Sequence, residues 1–181
     1  MKPWFLPFLF AILSGLGLRP ALADEAPQAV PEYTMKAVYL YNFAQLTEWP
    51  TRSEAAGSTF NICVYGQNEL AAALGALRGK TVNRQQLRFF HVADIAEARQ
   101  CHLLYVGEEE AERGSRIIEA LRGTPVLIVT DAPRMARSGA MLLIVNEARR
   151  LSFEANVDFA KRSQLKFSSK LLSLARRVSG E

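Results

Sequence analysis

The chain has 181 residues, 49% of them hydrophobic, with 22 Lys and Arg against 18 Asp and Glu and a formal net charge of +4. That is enough apolar residue for one domain with a sizeable core, and no low-complexity run or internal repeat interrupts it, which excludes a disordered or solenoid chain. The basic balance does not argue for nucleic acid: Lys2 and Arg19 lie in an N-terminal export signal, and without Met1 to Ala23 the charge is +2.

Lys2, the apolar run from Trp4 to Leu18 and the small-x-small triplet Ala21-Leu22-Ala23 have the order of a secretory signal peptide. The run is shorter than the roughly 20 residues needed to span a bilayer. This reading gives a signal peptide over 1–23 cleaved after Ala23, a polar lead-in over 24–30 and one α/β domain over 31–181, in the periplasm. The two cysteines, Cys63 and Cys101, then read as an intramolecular disulfide, because an exported pair is more often oxidised than metal-bound or nucleophilic.

Pro31 and Glu32 suit the first turn of a helix that runs to about Thr47 and stops before Pro50. Its periodicity predicts two apolar stripes. Tyr33, Ala37, Leu40, Tyr41 and Ala44 pack on a sheet, and the opposite stripe, Met35, Tyr39, Phe43 and Leu46, is buried under the C-terminal helix or forms a dimer or partner surface.

From Thr59 short β-rich runs alternate with helical ones, the sign of an α/β domain. Strands are predicted at Phe60–Tyr65, Leu87–Val92, His102–Val106 and Pro125–Thr130, the last an unbroken apolar run of the kind buried on both faces. Helices are predicted at Glu69–Leu77, from Asp94 to Ala98, and at Glu109–Leu121. Met141–Val145 and Leu151–Ala155 form a closing antiparallel hairpin, so the sheet is mixed but mostly parallel, in a three-layer domain with flanking helices. Asn156 caps a short helix; Ser168 or Ser169 caps a last one whose buried face is Leu171, Leu172, Ala175 and Val178.

In such folds ligands sit beyond the carboxyl ends of the parallel strands, here at Gly66-Gln67-Asn68, Gly107-Glu108-Glu109 and Thr130-Asp131-Ala132. Glu108, Glu109 and Glu110 disfavour a phosphate there. No nucleotide loop, nucleophile elbow or zinc motif occurs, and His91 and His102 stand apart from any second ligand. The residues therefore point away from an enzyme, a metal and a cofactor.

The run MKAVYLYNFAQLTEWP and the ending FEAN followed by LKFSSKLLSLA resemble the two terminal signatures of the YfiR family, K-A-x-Y-L-Y-N-F to W-P and F-E-x-N with L-x-x-S-S-x-L-L-x-L-A. The resemblance brackets the mature chain. It implies a non-enzymatic periplasmic sensor and repressor that binds the periplasmic part of an inner-membrane diguanylate cyclase, lowering cyclic-di-GMP and biofilm formation. An outer-membrane lipoprotein or envelope stress would relieve the repression, and a homodimer is compatible with it. It also implies binding of GMP or an aromatic amino acid, at positions that align roughly with Arg52, Lys166 and Ser168. Family members often carry a second cysteine pair in the last hairpin; this chain has none between Met141 and Phe153. The competing reading is a periplasmic small-molecule-binding protein in transport or another signalling pathway, separated from the first by whether the second stripe of the first helix faces a partner or a closed polar pocket exists.

Overall fold

A computed structural model describes residues 30–50, 59–66, 69–148 and 150–180. The predicted signal peptide over 1–23 and Arg52 lie outside them. Helices are α1 (Glu32–Gln45), α2 (Leu70–Leu74), α3 (Ile95–Ala98), α4 (Ala111–Ala120), α5 (Pro133–Ser138), α6 (Val157–Arg162) and α7 (Ser169–Leu174). Strands are β1 (Thr47–Glu48), β2 (Thr59–Tyr65), β3 (Thr81–Val82), β4 (Gln85–Val92), β5 (Leu103–Val106), β6 (Leu127–Thr130), β7 (Leu142–Glu147), β8 (Arg150–Asn156), β9 (Lys166–Phe167) and β10 (Arg177–Ser179).

Eight strands make one sheet in the order β10-β8-β7-β6-β5-β2-β4-β3, while β1 and β9 pair in a small antiparallel sheet of their own. The strands β4, β2, β5, β6 and β7 run parallel, and β7–β8 is the predicted antiparallel hairpin, with Leu142 opposite Ala155 and Glu147 opposite Arg150. Side chains alternate across the sheet as the pleat requires. Phe60, Ile62, Val64, Leu103, Tyr105, Leu127 and Val129 face a core shared with α1, α2, α6 and α7. Cys63, Tyr65, Leu104, Val106 and Ile128 face a second core beneath α3, α4 and α5. The result is a three-layer α/β domain with a mixed, mostly parallel sheet. Local signals act where the sequence places them: the side chains of Asp94, Asn156 and Ser168 accept the N–H of Glu97, Phe159 and Leu171 at the starts of α3, α6 and α7.

Two expectations need correction. The last helix does not reach Val178: it ends at Leu174, and residues 177–179 form β10, parallel to β8. The open edge of β8 captures the chain, since the Arg176 N–H donates to Phe153 O and the Arg176 and Arg177 guanidinium groups grip Glu154. The second concerns α1. Phe43 is 2% exposed and belongs to the core, with ring centroids 4.9 Å from Phe153 and 5.6 Å from Tyr39. Tyr39 and Leu46 are half-buried against the same core, and the Tyr39 hydroxyl donates to Leu151 O at 2.7 Å. Of the second stripe only Met35 is exposed, at 37%, so for Tyr39, Phe43 and Leu46 burial, and not the partner surface, is what the structure shows. The reason is angular: at about 100° per residue Phe43 lies roughly 60° from Leu40, on the flank of the first stripe, and the sheet is wide enough there to cover it.

Candidate functional site

The parallel strands β2, β5 and β6 end together at Gly66, Gly107 and Asp131, which is where an α/β sheet ordinarily receives a ligand. Here the protein fills part of that place itself. Lys36, from the second turn of α1, reaches over the ends of β5 and β6, and its ammonium is 2.6 Å from Asp131 Oδ2 and 2.7 Å from Glu32 Oε1. The Tyr105 hydroxyl on β5 donates to the same Asp131 oxygen at 2.7 Å, and the Glu108 backbone N–H donates to Oδ1 at 2.8 Å. Glu32 is held in turn by the Asn146 amide at 2.8 Å, and the Lys36 ammonium lies 5.3 Å from the centre of the Tyr33 ring.

Burial opposes the charge on Lys36, but the hydrogen bonds and attraction of Asp131 and Glu32 outweigh it, so its pKa is raised. Burial, reinforced by the Asp131 charge, drives the Tyr105 phenol far above its ordinary range. A lysine held protonated and a tyrosine held neutral are a poor base and a poor nucleophile; they are well suited to fastening three elements to one carboxylate. Thr130, fully buried beside them, donates to Val106 O at 2.8 Å and accepts from the Ala132 N–H, which fixes the turn that presents Asp131.

Sequence reasoning placed Asp131 at the strand ends and missed Lys36 and Tyr105. The signal was there: Lys36 lies about 40° from Leu40 on the apolar arc of α1, and a lone cation in such an arc requires a buried partner. The glutamates behave unevenly. Glu108 and Glu109 are exposed in a short 3-10 turn, whereas Glu110 is nearly covered and takes a bidentate contact from Arg113. His102 Nδ1 accepts the Asn61 N–H and its ring stacks on Phe60, while His91 Nδ1 lies 3.0 Å from Gly66 O. Among the described residues no group of three His, Cys, Asp or Glu could hold a metal ion.

Of the ligand residues implied by the resemblance, Lys166 and Ser168 are among the described residues and lie in and just after β9 of the small sheet. Lys166 in β9 is 78% exposed and 3.5 Å from Glu48 in β1; the Ser168 hydroxyl is engaged in capping α7. A larger cleft, about 470 Å3, opens between α4 and α6 and is lined by Arg122, Arg162, Phe159 and Met141 among others. Both arginines stand at helix carboxyl ends, where a cation offsets the negative end of the dipole, and Arg122 also pairs with Glu119 at 2.8 Å. The Arg162 guanidinium lies over the Phe159 ring, 4.6 Å from its centre. Cys63 and Cys101 are joined in a disulfide with Cα atoms 5.9 Å apart, tying β2 to the start of β5 beneath α3.

Among the described residues no helix is long and apolar enough to cross a membrane. The YfiR/HmsC-like family model matches residues 33–176, from the first turn of α1 to the start of β10. The match takes in both terminal signatures, the parallel strands β4, β2, β5, β6 and β7, and Lys36, Tyr105 and Asp131 of the plugged crevice, and the chain belongs to the YfiR/HmsC-like family.

Proposed function

We propose that the protein is a periplasmic repressor that binds and restrains an inner-membrane diguanylate cyclase, so that cyclic-di-GMP and biofilm formation stay low until an envelope partner such as an outer-membrane lipoprotein removes it. The observation that carries this reading is the family match over residues 33–176. The crevice is compatible with it: part of the usual ligand position is taken by an internal ammonium paired with two carboxylates, Asp131 and Glu32. Export through cleavage after Ala23 puts the domain beside the periplasmic part of such a cyclase.

With Phe43 inside, the contact falls to what α1 and α7 leave in water: Met35 and Val38, 37% and 40% exposed, and Leu174, 61% exposed. A partner that covered these side chains would remove apolar area from water, which favours binding. Restraint then needs only a higher affinity for the inactive arrangement of the cyclase than for the active one. In this reading Arg52, Lys166 and Ser168 bind GMP or an aromatic amino acid as a modulating ligand, the guanidinium and ammonium acting on the anionic group. Calorimetry with GMP should register binding that Arg52→Ala weakens.

The test of the main reading is capture from detergent-solubilised inner membranes by the tagged mature protein. Retention of a membrane protein with diguanylate cyclase activity, its activity reduced in the captured complex, is expected. Capture of no such protein, or of a fully active one, would overturn the repressor assignment.

A further inference from the structure

α1 is held to the sheet in two chemically different ways. Its carboxy-terminal half is packed through Leu40, Phe43 and Ala44, all 2% exposed or less. Its amino-terminal half has no side-chain cap at Pro31, begins with exposed Glu32, has Ala37 as its one buried apolar residue with Tyr33 half-buried beside it, and is tied to the strand ends through Lys36. The carboxylate that receives Lys36 also takes the Tyr105 hydroxyl from β5 and the Glu108 N–H from the turn before α4. Asp131 is thus a hub at which α1, β5, β6 and the turn before α4 meet.

A buried ion pair is a poor source of net stability, because removing two charges from water cancels most of their attraction. What it provides is geometry: an ammonium misplaced by one residue along the helix would leave both charges buried and unpaired. We propose that the Lys36–Asp131 pair, with Tyr105, is a lock that sets the register of α1 and keeps its first two turns closed over the strand ends. Its removal as a pair frees those turns without unfolding the sheet. The device stands whether or not the protein represses a cyclase.

A double-mutant cycle on the full mature protein tests it, with Lys36→Met, Asp131→Asn and both together. Asn removes the charge and keeps one acceptor oxygen for the Glu108 N–H, while its amide NH2, in place of Oδ2, can donate to the Tyr105 hydroxyl oxygen. Each single variant removes one charge of the pair, leaving Lys36 with Glu32 alone or Asp131 with only the neutral donors Tyr105 and Glu108 N–H, and is expected to melt below the double variant, which should melt within about 4 °C of wild type, the shift that roughly one or two small contacts produce in a domain of this size. Hydrogen exchange supplies the second readout: in the double variant the amides of residues 36–40 should exchange at least tenfold faster, with those of β5 and β6 unchanged. A double variant that fails to fold, or melts below both singles, would make the pair a source of net stability and overturn the proposal. Unchanged protection in α1, or a rise spread evenly over the sheet, would overturn it equally.

Discussion

Asp131 shows how much a single residue can organise when every acceptor it has is used. One oxygen faces Lys36 and Tyr105, the other the Glu108 N–H, and the lysine carries the contact on to Glu32. The pH dependence follows from the two raised pKa values. A group whose folded pKa lies above its unfolded one contributes stability that is complete below the unfolded value and lost as pH climbs toward the folded one. For Lys36 and Tyr105 the unfolded values are near 10, so the contribution is intact at neutral pH and declines in the alkaline range above about pH 10. Thermal melts between pH 8 and 11 should fall steeply at the top of the range in wild type and less steeply in Lys36→Met combined with Tyr105→Phe. Identical slopes would mean that the cluster does not titrate as described.

Among the elements, α1 separates what periodicity can and cannot tell. The helix, its start at Glu32 and its main buried stripe were legible, because apolar spacing and the Pro31 boundary are local signals. The fate of Phe43 was not, because a residue on the flank of a stripe is buried or exposed according to how far the sheet extends beneath it. The expected consequence is that Phe43→Glu unfolds the domain, costing more than about 4 kcal/mol by placing a charge against Phe153 and Tyr39. Circular dichroism of the purified variant checks it; a native spectrum and melting temperature would return Phe43 to the surface. The C-terminal end teaches the same lesson. Ser168 was legible as a cap, but residues 177–179 are a strand only because β8 offers an open edge, and no spacing within Leu171 to Val178 records that edge.

For the whole molecule the sequence carried the layer order well: the four parallel strands between Thr59 and Thr130 and the closing hairpin follow from apolar runs and turn residues. The short additions β1 and β9 were invisible, being two residues long and paired with each other from distant parts of the chain, and so was β3, equally short, which folds back on β4 across Asn83-Arg84. The disulfide was legible from the predicted export signal and the cysteine count, and it links β2 to the segment just before β5 across 38 residues of chain. By chain entropy a loop of that length stabilises by about 4 kcal/mol. Reduction should therefore lower the melting temperature by roughly 8–16 °C without changing the fold at room temperature; calorimetry with and without dithiothreitol measures it, and a shift below about 2 °C would contradict that contribution.

The central claim is that this domain acts by contact through surface left exposed on α1. Its most direct test is intracellular cyclic-di-GMP in a strain whose own copy is deleted and replaced by wild type or by Met35→Glu with Val38→Glu, both positions being exposed so that folding is preserved. The account predicts that wild type restores the low level and that the variant, exported in equal amount and folded by circular dichroism, leaves it as high as in the deletion strain. A folded variant that restores the low level as fully as wild type would contradict it.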